Sequence, residues 1–90
     1  MINQTDIVYI RIDYIYNNRM NIQQLEYIIA VDNSRHFVKA AEKCFVTQAT
    51  LSMMIKKLEE ELNAKIFDRS RQPVIPTEIG KKIIAQAKVV

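Results

Sequence analysis

One glycine, Gly80, and two prolines, Pro73 and Pro76, are all that a chain of 90 residues offers for sharp turns. Glycine supplies backbone at positive φ and proline pre-sets turn geometry. A chain so poor in both must join its elements by short links and spend most of its length in helix. The apolar pattern agrees. From Asn21 onward Ile22, Leu25, Ile28 and Ile29 recur at helical steps, and Asn21 can cap with Gln24 capping back. This first helix is expected to fade at Asn33-Ser34, with Ser34-Arg35-His36 as a tight turn in which His36 serves the turn or caps the next helix.

A second helix is expected from Phe37 to about Cys44, with Phe37, Ala41 and Cys44 on one face and Ala40 beside them. Phe45-Val46 break it, and Phe45 stands where the backbone needs a positive φ, so it is expected to be partly exposed and mildly strained. Thr47 is a good N-cap for a third helix whose inward stripe is Leu51, Ile55, Leu58 and Leu62, and Asn63 suits a left-handed helix end. Ile66-Phe67-Asp68 reads as a short strand and Val74-Ile75 as its partner, joined through Arg69-Ser70-Arg71-Gln72-Pro73. Thr77 then caps a fourth helix with an apolar stripe of Ile79, Ile83, Ile84, Ala87 and Val90.

Residues 1–19 differ. Their β-branched and aromatic run, Ile7 to Tyr16, is interrupted by Arg11 and Asp13. It falls short of the ~20 apolar residues of a membrane span and lacks the features of a signal peptide. Residues 1–19 are expected to be an N-terminal extension, non-native or flexible, ahead of a natural start at Met20.

A short helix, a break and a capped longer helix have the spacing of a helix-turn-helix, whose second helix enters the DNA major groove. Opposite the inward stripe, the third helix carries Thr47, Gln48, Thr50, Ser52, Met53 and Lys56, side chains suited to base edges and phosphates. Acidic residues come only at Glu59, Glu60 and Glu61, expected to form a solvated face beyond the groove. The hairpin with Arg69 and Arg71 reads as a wing for a narrow, electronegative minor groove. The net charge of +3 suits an anionic partner. The expected fold is therefore mainly α: a winged helix-turn-helix with a three-helix core and a small β-hairpin wing, then a fourth helix whose apolar stripe suggests dimerisation.

The stretches Phe37-Val38-Lys39-Ala40-Ala41, Val46-Thr47-Gln48-Ala49-Thr50-Leu51-Ser52, Ile55-Lys56-Lys57-Leu58-Glu59, Ile66-Phe67-Asp68-Arg69 and Thr77-Glu78-Ile79-Gly80 resemble the N-terminal domain of LysR-type transcriptional regulators. Within that family, Leu25-Glu26-Tyr27, Arg35-His36-Phe37, Cys44 and Thr50-Leu51-Ser52 are most similar to the OxyR-like, peroxide-responsive branch. The resemblance covers Met20 to Val90. It implies a DNA-binding domain over residues 20–76 and the start of a long dimerisation linker helix over 77–90, with the effector-binding domain absent. Gln48, Ala49, Ser52 and Met53 fall at base-contacting positions, with Gln72 in the wing, and the apolar stripe of the fourth helix would pair two chains. Departures from the family pattern are Ala49 where proline is frequent, Met53 where arginine or glutamine is frequent, Gln72 where arginine usually precedes the wing proline, and Asn63 for glycine. Met53 cannot grip guanine with two bonds, so contact there would be apolar.

The function read from the sequence is sequence-specific binding of double-stranded DNA by a homodimer on a partly palindromic operator. The resemblance implies regulation of transcription in the cytoplasm, with RNA polymerase as a possible partner of the full-length protein, and no membrane partner is expected. No cofactor and no metal are expected, since no His/Cys cluster has ligand spacing. No nucleophile–base pair or glycine-rich phosphate loop suggests an enzyme. A protein–protein docking module is the alternative, which a contiguous apolar face on the third helix would favour; that face is polar. Cys44 is expected to be a buried packing thiol, and Lys81, Lys82 and Lys88 to be solubilising.

Overall fold

The computed structural model describes residues 22–89; the expectations for residues 1–19, for the Asn21 cap and for Val90 lie outside the described residues. In chain order they form α1 (Ile22–Ser34), α2 (Phe37–Lys43), α3 (Gln48–Leu62), β1 (Phe67–Asp68), β2 (Ile75–Pro76) and α4 (Glu78–Val89). The first three helices pack around one core, α4 lies along α1, and the two strands pair antiparallel as a wing. The arrangement is a mainly α winged helix-turn-helix, as the sequence predicts.

Each helix begins and ends for a local reason. His36 is extended, and its Nδ1 accepts from the Lys39 N–H at 3.3 Å, which caps α2. Helix α2 ends at Lys43, one residue earlier than the sequence suggests, with Cys44 as its C-cap. Buried Ala40 and Ala41 have no bulk, so α2 can cross its neighbours closely. Thr47 is extended, and its hydroxyl accepts from the Thr50 N–H at 3.1 Å, starting α3. Leu51, Ile55, Leu58 and Leu62 are buried, and Asn63 closes the helix in the left-handed region.

The turns use no glycine. Arg35 (φ 56°), Phe45 (φ 58°) and Asn63 (φ 53°) take the positive-φ corners. Arg35 is held there by its Nε–H to the Asp32 carbonyl at 2.7 Å and by an ion pair to the Asp32 carboxylate at 3.1 Å. Phe45 is 94% exposed, more than the partial exposure expected, so burial does not compensate its backbone strain.

The wing is shifted by one residue. Phe67 faces Pro76 and Asp68 faces Ile75, so β2 is Ile75–Pro76 rather than Val74-Ile75. The reason lies in Val74: its N–H donates to the Arg35 carbonyl at 3.0 Å and its side chain is buried, which roots the hairpin beneath the α1–α2 turn. Phe67 packs edge-on against Phe37, with ring centroids 6.2 Å apart.

Glycine is needed for close approach instead. Thr77 donates its N–H to the Ile66 carbonyl at 3.0 Å, and its hydroxyl accepts from the Gly80 N–H at 2.8 Å. This draws α4 so tightly onto Ile66 that a Cβ on Gly80 would overlap the Ile66 carbonyl oxygen. Lys88, expected only to solubilise, pairs with Asp32 at 3.3 Å.

Two outcomes follow from this packing. Gly80→Ala gains about 1 kcal/mol of helix propensity, but the overlap with fixed backbone costs more. The net effect in urea denaturation is a loss of about 1–2 kcal/mol; a gain would show that α4 does not seat as closely as described. Phe45→Asn relieves left-handed strain at no cost in burial, so the same measurement is expected to show a gain of about 1 kcal/mol.

Candidate nucleic-acid interface

Helix α3 presents a graded surface. Thr47, Gln48, Ala49, Met53 and Lys56 are exposed, and Thr50 and Ser52 are half-buried. The face from Gln48 to Lys56 is about 12 Å long at the helical rise, which matches a major groove about 12 Å wide. Its first turn contains no acidic residue, and the capped N-terminus carries the positive end of the helix dipole. Thr47 spends its hydroxyl on the cap, accepting from the Thr50 N–H and donating to the Thr50 hydroxyl at 3.0 Å. Met53 is 61% exposed, and with Ala49 one turn before it forms an apolar pair on an otherwise polar face.

The wing stands beside this face. Gln48 and Ser52 of α3, Arg69 and Gln72 of the wing, and His36 and Val38 line a shallow groove between them. Arg71 and Gln72 are exposed. The nearest carboxylate oxygen to Arg71 Nε given by the structure is that of Asp68, 4.0 Å away. The Asp68 carboxyl is held below its ordinary range, first by hydrogen bonds from the Ser70 hydroxyl and N–H and less by the Arg71 charge. The wing loop is thus fastened through Ser70, and the Arg71 side chain extends into solvent.

Arg69 differs from what the sequence suggests. Its guanidinium lies 3.3 Å from Glu59 Oε1, donates to the Ser52 hydroxyl at 3.1 Å and sits over the Phe37 ring at 4.6 Å. Two of its five N–H donors are thus engaged inside the chain, although the side chain remains about a third exposed. Glu59 corrects the expectation of a solvated glutamate face: its side chain is 3% exposed, and Oε2 accepts from the Ile66 N–H at 2.7 Å and more weakly from Phe67. Glu60 is exposed, as expected. A buried carboxylate must be matched by donors, and the start of β1 with Arg69 supplies them. The signal was present in the spacing: residue 59 stands four after Ile55 and three before Leu62, on the inward stripe. Lys65 was also missed; it is exposed and lines a recess with Lys56 and Arg69.

The apolar stripe of α4 is used within the chain. Ile83, Ile84 and Ala87 are buried in the core and Ile79 is half-buried, so the stripe itself does not call for a second copy. Cys44 is half-buried rather than fully buried. Burial raises its thiol pKa, and the nearby Glu26 charge adds to the shift.

The profile described as Bacterial regulatory helix-turn-helix protein, lysR family, matches residues 22–81. The DNA-binding transcriptional dual regulator OxyR of Escherichia coli (strain K12) is 44% identical over 71 residues, covering 79% of this chain and 23% of that protein. A full-length OxyR variant from Pseudomonas aeruginosa superposes with a TM-score of 0.74 at 45% identity, over 79% of this chain and 24% of that one. The BenM DNA-binding domain in its complex with benA site 1 DNA superposes with a TM-score of 0.75 at 36% identity, over 78% of this chain and 79% of that one. The chain therefore spans about a quarter of the length of the curated relatives it matches. With three capped helices, a wing rooted on the first turn and a match over residues 22–81, the chain belongs to the LysR family of bacterial regulatory helix-turn-helix proteins.

Proposed function

We propose that this domain binds double-stranded DNA sequence-specifically as the DNA-binding part of a transcription regulator. The observation that carries the reading is the exposed face of α3: capped, free of acid through its first turns, bearing Gln48 and Lys56, and flanked by the wing. Gln48 is suited to adenine, Lys56 to phosphate, and Arg71 to the backbone or minor groove. The exposed Ala49–Met53 pair suits the methyl group of thymine. The solved BenM domain in its DNA complex, of like fold, supports this reading.

One recognition helix reads only a few base pairs, so specificity calls for two copies on a partly palindromic operator, with half-sites a helical turn or a multiple apart. With Ile83, Ile84 and Ala87 committed to the core, pairing along α4 would use its outward side, where Lys81, Lys82 and Ala85 are exposed. Identity to peroxide regulators supports an OxyR-like role for a longer protein, with RNA polymerase as its partner. No helix among the described residues is long and apolar enough to cross a membrane, consistent with action in the cytoplasm.

A gel-shift titration over salt tests the central claim. Affinity for a selected operator is expected to fall with a log–log slope of about −0.9 per neutralised phosphate, and Gln48→Ala to lose about 1–3 kcal/mol and relax one base position. Equal affinity for random duplex at every salt concentration would sink the specific reading and favour the docking module.

The peroxide response is not expected to reside in Cys44. A thiol whose pKa is raised holds less thiolate at neutral pH than free cysteine, so its alkylation should be slower and reach its half-maximal rate at higher pH. Cys44→Ser should bind DNA unchanged, with or without peroxide; peroxide-dependent release that disappears in Cys44→Ser would overturn this.

A further inference from the structure

Ser52 sits on the recognition helix one turn after Gln48, half-buried at the edge of the groove that separates α3 from the wing. Its hydroxyl oxygen receives the Arg69 Nη1–H at 3.1 Å. A guanidinium only donates, so the direction of this bond is fixed. Arg69 in turn is held from behind: Nη2 donates to the buried Glu59 carboxylate at 3.3 Å, and the guanidinium rests on the Phe37 ring. Glu59 is itself anchored by the Ile66 N–H. Among the described residues no acceptor takes the Ser52 hydroxyl proton.

A free serine hydroxyl serves as donor or acceptor as the partner demands. We infer that the Glu59–Arg69 pair, by filling one of the two lone pairs of the Ser52 hydroxyl and repelling a further donor beside the guanidinium, biases Ser52 towards donating. This favours an acceptor on the DNA over a donor such as a cytosine or adenine amino group. This rests on the DNA-binding reading above. The acceptor is a base-edge atom in the major groove (purine N7, guanine O6 or thymine O4) or a phosphate oxygen at its rim; all are electron-rich atoms without a proton to give. Ser52 is the contacting group, and Arg69 and Glu59 are positioning residues. The wing arginine is thereby part of the recognition helix's specificity without itself needing to touch a base. The arrangement also costs little at the moment of binding, because the serine is held from one side before DNA arrives.

The test begins with an operator selected from random duplex by the 90-residue chain. That operator is scanned one position at a time with 7-deazapurines, which lack N7, with 2-aminopurine for guanine and 5-methyl-2-pyrimidinone for thymine, which lack O6 and O4, and separately with methylphosphonates, which neutralise one phosphate. One substitution is expected to weaken the wild-type chain about three- to tenfold, the worth of a single hydrogen bond, and to cost nothing further against Ser52→Ala. Which substitution it is identifies the acceptor. Arg69→Lys and Glu59→Gln, each checked for helical circular dichroism, should lose most of that position-specific penalty while keeping their sensitivity to other operator positions. A general loss of affinity from a loosened fold would not be confined to one position. If every penalty persists in Ser52→Ala, or if both folded positioning variants keep the full penalty, the inference falls while DNA binding stands. If the wild-type chain selects no sequence, both fall.

Discussion

The buried carboxylate of Glu59 is the joint on which the binding surface depends. It lies on the inward stripe of α3, yet it is charged, and taking it from water is repaid only if its oxygens are filled. The chain fills them from one side: backbone N–H groups at the start of β1 and the guanidinium of Arg69. The consequence is geometric. The recognition helix and the wing, separate elements linked by Asn63 to Ile66, are locked at one relative position, and the groove between them is formed before any ligand is present. Removing Arg69 would leave Glu59 half-satisfied in a poorly hydrated place, whereas Arg69, about a third exposed, could turn to water, so the pair sets position more than it adds stability.

A second constraint runs through the turns. Among the described residues, a chain with one glycine still has three corners at positive φ, and gives them to Arg35, Phe45 and Asn63. Asparagine tolerates that region well. Arg35 is held by Asp32, which also receives Lys88, so the corner between α1 and α2, the root of the wing through the Arg35 carbonyl, and the end of α4 meet at one carboxylate. Phe45 has no such compensation. The sole glycine is used where no side chain fits, at the contact of α4 with the Ile66 carbonyl. Conformational freedom and steric room are separate properties of glycine, and this fold spends its only glycine on the second.

Much of this was legible in the sequence. Capping residues His36, Thr47 and Thr77 and the left-handed Asn63 follow from short-range chemistry, and the structure places each as the pattern predicts. The stripe of Leu51, Ile55, Leu58 and Leu62 follows from periodicity. What was not legible came from contacts distant in sequence. Spacing puts Glu59 on the inward stripe, but what satisfies its carboxylate there depends on donors seven to ten residues away. Whether Arg69 faces DNA or the core depends on Phe37 and Ser52, and neither is local to it. The strand shift arises in the same way, because the Val74 N–H is claimed by Arg35, far back in the chain. The stripe on α4 shows a related limit: an amphipathic helix must bury its apolar face, but periodicity does not say against what.

The polarity of α3 ties these points to recognition. Negative charge at the C-terminal end of a helix opposes its dipole, so Glu59, Glu60 and Glu61 together are costly for the helix alone. The arrangement becomes favourable when the cost is assigned by residue. Glu59 is neutralised by Arg69 and the β1 backbone, so the charge that lies nearest the wing is cancelled inside the protein rather than presented to the groove. Exposed Glu60 lies a further residue on, past Lys56 and Lys57, toward the end of the helix where a duplex would already have curved away. An acidic residue is thus tolerated close to a phosphate-facing surface because it faces inward, and the same contact that cancels it brings Arg69 to Ser52. Charge compensation and the geometry of the reading face are therefore one structural solution.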